Sequence, residues 1–323
     1  MKTSLNSLKR GLIVASGLLL AGCELQEVTI VEVDPTVVAE VYVQIGGGQF
    51  GASQIVAFLH STLDGTSVFD AAVPGATITV SAPGSGSVEL GETAPERCLV
   101  LTNGEEFGSC YHFSQQGPPS ATFPFGPGDL VELTIDLPSG DRMISQSRIP
   151  GDFQIEGIED GLRCMVPPDT ELPIRWTESP GTWAYINETT IFGLRAALEP
   201  RGIEVDEDPL QLLGLSVSSD DTEILFPSEF GIFDRFDLDQ DVATALQNGL
   251  PAGTMAPVTI AATDRNYVNW ARGGNFNPSG QVRVPSIQGD GTGVFATLVV
   301  RGFQAFSGPD AGQAGVLPLC QGS

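Results

Sequence analysis

Lysine is nearly missing from this 323-residue chain, with Lys2 and Lys9 both inside the first ten residues. Everything after them must work without a lysine Schiff base, a lysine general base or a phosphate-gripping P-loop lysine. Histidine is as scarce: His60 and His112 are the two. No Gly-x-Ser-x-Gly elbow, His-Glu-x-x-His helix or paired-carboxylate motif accompanies them. A triad assembled in space is the hydrolytic route left open, and structural histidines in separate strands are the simpler reading. No Cys-x-x-Cys spacing occurs, which argues against a thiolate zinc site. After residue 22 there is no apolar run long enough to cross a bilayer as a helix.

What is present begins with a leader. Lys2, Lys9 and Arg10 precede the apolar run Gly11 to Leu20, which is too short for a stable span and has the layout of an export signal. It ends in Leu20-Ala21-Gly22-Cys23. Small residues before a cysteine suit a signal peptidase, and the Cys23 thiol is the nucleophile that takes a diacylglyceryl group, with an N-acyl chain added later. Each buried methylene contributes about 0.8 kcal/mol, so two or three chains hold a protein firmly where one does not. The pattern predicts a bacterial lipoprotein of the cell envelope. Glu24, where inner-membrane lipoproteins often carry Asp, points to the outer membrane, with the leaflet left open.

Without residues 1–22 the chain has 12 arginines against 40 acidic residues, a net charge of −28. That surface repels nucleic acid and anionic headgroups. Four cysteines remain besides Cys23: Cys98, Cys110, Cys164 and Cys320, an even number suited to an oxidising compartment. Of the three pairings, a hairpin reading of 98–113 selects Cys98–Cys110 and Cys164–Cys320. Loop entropy assigns the short loop about 3 kcal/mol and the long one about 5 kcal/mol.

The chain reads as mainly β, in short strands separated by Gly, Pro, Asn and Asp turns. Strands are expected at 37–45, 54–60, 76–82, 98–101, 110–113, 130–137 and 142–149, and later at 172–177, 182–186, 191–198, 258–262 and 293–303. In 130–137 the apolar residues Val131, Leu133, Ile135 and Leu137 alternate with polar ones, as on a half-buried strand. Helices are expected at 239–248 and 263–272, each stopped by glycine. Residues 1–22 are then a signal peptide and 23–35 a lipidated tether. Residues 36–155 are an immunoglobulin-like sandwich, and 156–323 a second β-rich domain with two or three short helices.

Gly46-Gly47-Gly48-Gln49-Phe50-Gly51 fits the dinucleotide pattern in form, but a strand follows it where that pattern needs a helix, so it reads as a loop. Asp237, Asp239 and Asp241 have the two-residue spacing of a calcium loop. However, Val242 and Asn248 stand where an EF-hand needs Gly and Glu, and capping of the next helix by Asp239 explains the cluster without a cofactor. The aromatic run Phe226, Phe230, Phe233 and Phe236, with Tyr267 and Trp270 on the second helix, reads as core by default. As an interface it would place Phe230, Phe233, Phe236, Tyr267 and Trp270 in a binding site.

Several stretches together resemble an uncharacterised family of outer-membrane lipoproteins that carry a domain of unknown function and are often encoded beside TonB-dependent receptors. They are Pro127-Gly128-Asp129-Leu130, Ser147-Arg148-Ile149-Pro150, Ile174-Arg175-Trp176-Thr177, and Val284-Pro285-Ser286-Ile287 followed by Gly289-Asp290-Gly291-Thr292-Gly293-Val294-Phe295. The resemblance implies a partner, a TonB-dependent transporter, and supplies no catalytic residues. The expectation is a non-enzymatic, membrane-anchored accessory module for nutrient uptake. An adhesion or envelope-structural lipoprotein is the alternative, and an extracytoplasmic hydrolase a more distant one.

Overall fold

A computed structural model of the chain describes residues 35–46, 53–62, 71–98, 108–114, 123–216, 218–231, 238–272, 284–309 and 317–320. The leader, Cys23, Phe233, Phe236 and Asp237 lie outside the described residues. In chain order the elements are β1 (Val37–Ile45), β2 (Gln54–Ser61), β3 (Thr77–Ala82), β4 (Gly86–Glu89), β5 (Gly91–Thr93), β6 (Ser109–Ser114), β7 (Leu130–Asp136) and β8 (Arg142–Arg148). There follow β9 (Arg163–Val166), β10 (Leu172–Arg175), β11 (Ala184–Ile191), α1 (Leu194–Leu198), β12 (Leu210–Leu215), β13 (Glu223–Phe226) and α2 (Gln240–Leu246). The last elements are β14 (Met255–Thr263), α3 (Arg265–Arg272), β15 (Gln288–Gly289) and β16 (Gly291–Ser307).

The protein is mainly β, its strands gathered into a large sheet, a five-stranded sheet and the two-stranded pair β10-β13. A five-stranded sheet, β15-β8-β7-β3-β4, shares one buried core with the larger sheet β12-β11-β14-β16-β1-β2-β6-β5, in which β9 also pairs with β16. The alternation legible in β7 holds: Val131, Leu133 and Ile135 face the core and Glu132 faces solvent. Across the sandwich the Tyr111 hydroxyl donates to the Val73 carbonyl at 2.8 Å and accepts from the Ala76 amide at 3.0 Å, fixing the entry to β3.

The expected division at 155/156 does not divide the sheets. Strand β16 pairs in parallel with β1 from Val37↔Gly291 to Ile45↔Val299, and antiparallel with β14 from Leu298↔Thr263 to Phe306↔Met255. Its last residues pair in parallel with β9, Cys164 opposite Ala305. Everything from Pro35 onward belongs to one compact unit. The chain around that expected boundary is core, with Phe153, Ile155 and Ile158 buried. At Gly293, where φ is +134°, an added Cβ would stand 1.9 Å from the Ala39 carbonyl oxygen, so β1 can lie against β16 here only over a glycine.

Both disulfides form as read, Cys98–Cys110 and Cys164–Cys320. Most of the hairpin read at 98–113 lies outside the described residues, which resume at 108. Cys98 ends a 3₁₀ turn over Pro95–Arg97, and β6 pairs with both β2 and β5, with Phe58 and Thr93 opposite Cys110. Proline at the first turn position favours the tight turn. A correction concerns 191–198. Strand β11 stops at Ile191, and Gly193, at φ +84°, turns the chain into α1. Asp208 caps this helix by accepting from the Gly193 and Arg195 amides at 3.0 Å each, and Leu194 and Leu198, four apart, bury the same face.

The halves of the molecule meet at Asp264, between β14 and α3 and 4% exposed. Its Oδ1 accepts from the Tyr267 amide at 2.9 Å, capping α3. Its Oδ2 accepts from the Thr297 amide at 3.2 Å and from the Ser147 hydroxyl, and the Thr297 hydroxyl lies 3.2 Å away. The same Thr297 Oγ1 is 3.0 Å from the Arg148 carbonyl of β8, so its single proton serves both acceptors. Burial outweighs these hydrogen bonds and pushes the carboxyl from 3.8 up to about 6.

Below about pH 6 the folded protein holds a proton on Asp264 that the unfolded chain gives up near the ordinary value, so this group's contribution to stability falls as pH rises through that window. Urea midpoints across this range should therefore show a downward slope that is absent in Asp264→Asn. Asp264→Ala, which strands a cap and two further donors, should lose on the order of 3 kcal/mol at every pH.

Candidate functional site

Strands of the large sheet present two different faces. Inward, Tyr185, Ile191, Val258, Ile260, Ala262, Val299 and Phe303 join the main core. Outward, Ile186 on β11, Ala261 on β14 and Val300 on β16 form a small separate apolar cluster, with Leu215, Tyr267 and Leu298 packed on it. Among the described residues α3 packs over one end of this face, and a concave part of a solvated sheet face is where a ligand could lodge.

Beside α3 the outer face forms an open trough of about 330 Å³, lined by Gln44, Ile186, Glu188, Thr190, Leu213, Pro257, Thr259, Ala261, Tyr267, Leu298 and Val300 among others. The strand period places these residues together: 186, 188 and 190 alternate outward on β11, as do 257, 259 and 261 on β14. Leu213 on the edge strand β12 is 45% exposed at the rim. At the far side Gln44 Oε1 is held by the Gln54 amide at 2.9 Å. Tyr267 closes the near end, edge to face against Tyr42 with ring centroids 6.2 Å apart, and Tyr42 donates its hydroxyl to Glu40 at 3.1 Å.

Electrostatically the trough is one-signed. Among the described residues its lining contains the Glu188 carboxylate and no arginine. The surrounding apolar strands push the Glu188 carboxyl above the ordinary range by desolvation, although the residue reaches solvent. Tyr267 is pushed up to about 12, first by burial and then by the negative charge of Glu188 and Glu40. Two other hollows differ. One of about 570 Å³ contains Asp152, Glu159, Asp160 and Arg301, with Arg301 already paired to Asp152 and Asp160 accepting from the Gly302 amide at 2.7 Å. The other, about 640 Å³, lies on the opposite side of α3 between Ile144, Gln146, Asn266, Asn269 and Val284.

Among the residues singled out from sequence, Tyr267 is the one placed in the trough. Trp270 is half-buried on the same helix. Phe230 is not a contact residue: it is 0% exposed and packs edge to face on Phe226 at 5.0 Å. Its side chain fills the core behind β13, which is the default fate of an aromatic run interrupted by turn residues. Asp239 caps α2, Oδ1 accepting from the Asp241 amide at 2.8 Å and the Val242 amide at 3.3 Å. Among the described residues no group of three or more His, Cys, Asp or Glu is arranged to hold a metal.

The histidines occupy separate positions. His60 lies on β2 beside Phe58, with ring centroids 5.7 Å apart, and His112 Nε2 is 3.3 Å from Gln54 Oε1. Burial and then Arg97 lower the His112 pKa. The trough itself was missed from sequence. Its one available signal was the polar-apolar alternation Ile186, Glu188, Thr190, with an acid in the middle of an otherwise uncharged strand.

No family model matches the chain, and no curated protein matches it. Among solved structures it is similar to fibronectin(III)-like modules of Clostridium thermocellum CbhA, at 10% identity and TM-score 0.20, covering 85% of this chain and 94% of that one. It is also similar to a structure of Dpr11 IG1 bound to DIP-gamma IG+IG2, at 6% identity and TM-score 0.17, covering 85% and 100%.

Phe230 and Glu188 make opposite predictions for stability. Phe230→Ala should lose about 3–5 kcal/mol. Glu188→Gln should gain a little, under about 1 kcal/mol because the group is partly solvated, since removing an uncompensated charge from an apolar wall relieves desolvation. Chemical denaturation of the two variants beside the unchanged protein checks both.

Proposed function

We propose that this chain is an exported lipoprotein, anchored to the bacterial outer membrane through acyl chains on Cys23, that binds a small ligand and assists a TonB-dependent transporter in its uptake. The trough on the large sheet carries this reading: it is concave, apolar-floored and provided with one charged group, the composition of a ligand site. The leader ending in Leu20-Ala21-Gly22-Cys23 supports the anchor. The two formed disulfides suit an oxidising compartment outside the cytoplasm. The resemblance of the Ser147–Pro150 and Gly289–Phe295 stretches to transporter-linked lipoproteins supplies the partner. In the structure the second of these stretches folds back on 284–287, the Phe295 amide donating to Ser286 Oγ at 2.8 Å, and the Ser286 carbonyl accepts from the Ser145 hydroxyl of β8 at 2.7 Å.

The role is binding rather than catalysis. His112 is directed to Gln54 instead of to a hydroxyl or thiol nucleophile. Asp264, the most buried acid near the trough, has its oxygens taken up by backbone and hydroxyl donors that hold the fold together.

The test is affinity capture of the tagged full chain from a mild-detergent extract, combined with uptake measurements in cells that lack the gene. Capture should recover a TonB-dependent transporter, and loss of the gene should slow uptake. The trough-filling variant Thr259→Trp should restore membrane placement without restoring uptake. Repeated capture without such a receptor, together with unchanged uptake and altered cell attachment, would overturn the proposal in favour of an adhesion or envelope-structural role.

A further inference from the structure

Glu188 is the carboxylate in the lining of the trough, set among uncharged side chains. It projects from the middle of β11 between Ile186 and Thr190, across from Leu213 on one neighbouring strand and Thr259 on the other. Among the described residues no hydrogen bond or ion pair to its side chain is formed, and the hydroxyl of Thr259 is directed to the Glu188 backbone carbonyl at 3.3 Å instead. The floor beside it is the apolar cluster of Ile186, Ala261, Val300 and Leu298. Two arginines of this part of the fold have other partners: Arg301 is paired with Asp152, and Arg265 lies over the Trp183 ring at 5.1 Å. A solvent-reaching carboxylate beside apolar surface, with no cation next to it among the described residues, is open to a cation from outside.

Tyr267 adds an aromatic wall, and Glu40 behind it adds to the negative potential at that end. Aromatic rings and carboxylates together favour cations carried on hydrocarbon. The trough holds about 330 Å³, at the small end of the range for ligand sites, which fits one ring and a short chain rather than a macromolecule. The formal charge of −25 on the whole chain draws small cations to the surface.

We propose that the trough binds a small apolar ammonium compound, its hydrocarbon body lying over Ile186, Ala261, Leu298 and Val300 against Tyr267, and its ammonium group paired with Glu188. This rests on the reading of the protein as a ligand-binding module and names the chemical class of the ligand. The ammonium donates to the carboxylate, and the body excludes water from the pair.

Titration calorimetry of the full chain in nonionic detergent, with three probes of matched shape, tests it. The probes are 2-phenylethylammonium, its neutral counterpart 2-phenylethanol, and the anion 3-phenylpropionate. The ammonium should bind at least about tenfold more tightly than the alcohol, and the anion should not bind. Glu188→Gln should erase the preference for the ammonium while keeping the fold, and Thr259→Trp should abolish binding of both the ammonium and the alcohol. Equal binding of ammonium and alcohol, or a preference that survives Glu188→Gln, would overturn the charge assignment and leave the trough as a site for neutral ligands. Absence of binding by all three would overturn the amine site altogether, while capture of a transporter would still stand or fall on its own result.

Discussion

A single buried carboxylate decides how the parts of this protein meet. Asp264 stands where β14 turns into α3, and its two oxygens gather donors from α3, β16 and β8. A buried acid without partners would be strongly destabilising, and here the hydrogen bonds offset part of that penalty without cancelling it, which is why its proton is held to about pH 6. The same contacts set the direction of α3, and through it the place of Tyr267 at the end of the trough. The trough is therefore held by residues that do not line it.

The second constraint is the seventeen-residue strand β16, which runs through both halves of the molecule. Its first part pairs with β1 and its last with β9, both in parallel, while β14 lies along its other side. The Cys164–Cys320 disulfide secures the region where β9 meets β16, closing a loop of 156 residues. Such long-range closure makes the first and last strands of the described chain neighbours. It also leaves the outer face of the large sheet continuous across what looks in sequence like a domain boundary.

Local features were legible from the sequence and distant ones were not. Residues Val37–Ile45 form a strand with the bounds that β-branched alternation indicates, and Asp239 before Gln240–Leu246 caps a helix as its side chain and spacing imply. The cysteine pairing was also readable, although most of the hairpin that suggested it lies outside the described residues. Parallel pairing of Val37 with Gly291 leaves no periodic trace in either segment, so the 155/156 division was drawn where only a turn-rich stretch exists. The strand expected at 191–198 failed because its apolar residues are four apart as well as alternating, and Gly193 resets the backbone. Of the candidate contact residues, Tyr267 reaches the trough while Phe230 is core. Glu188 escaped notice because its significance comes from the uncharged strands beside it, which sequence separates by more than twenty residues.

The central claim is that strands on either side of residue 155 belong to one cooperative structure held at the Asp264 junction. Native-state hydrogen exchange measures this most directly. Amides of Val41 to Val43 and of Ile260 to Ala262 should exchange through one common opening, with equal free energies that fall together in Thr297→Val. Two distinct opening energies, with only one of them moved by that substitution, would contradict the account.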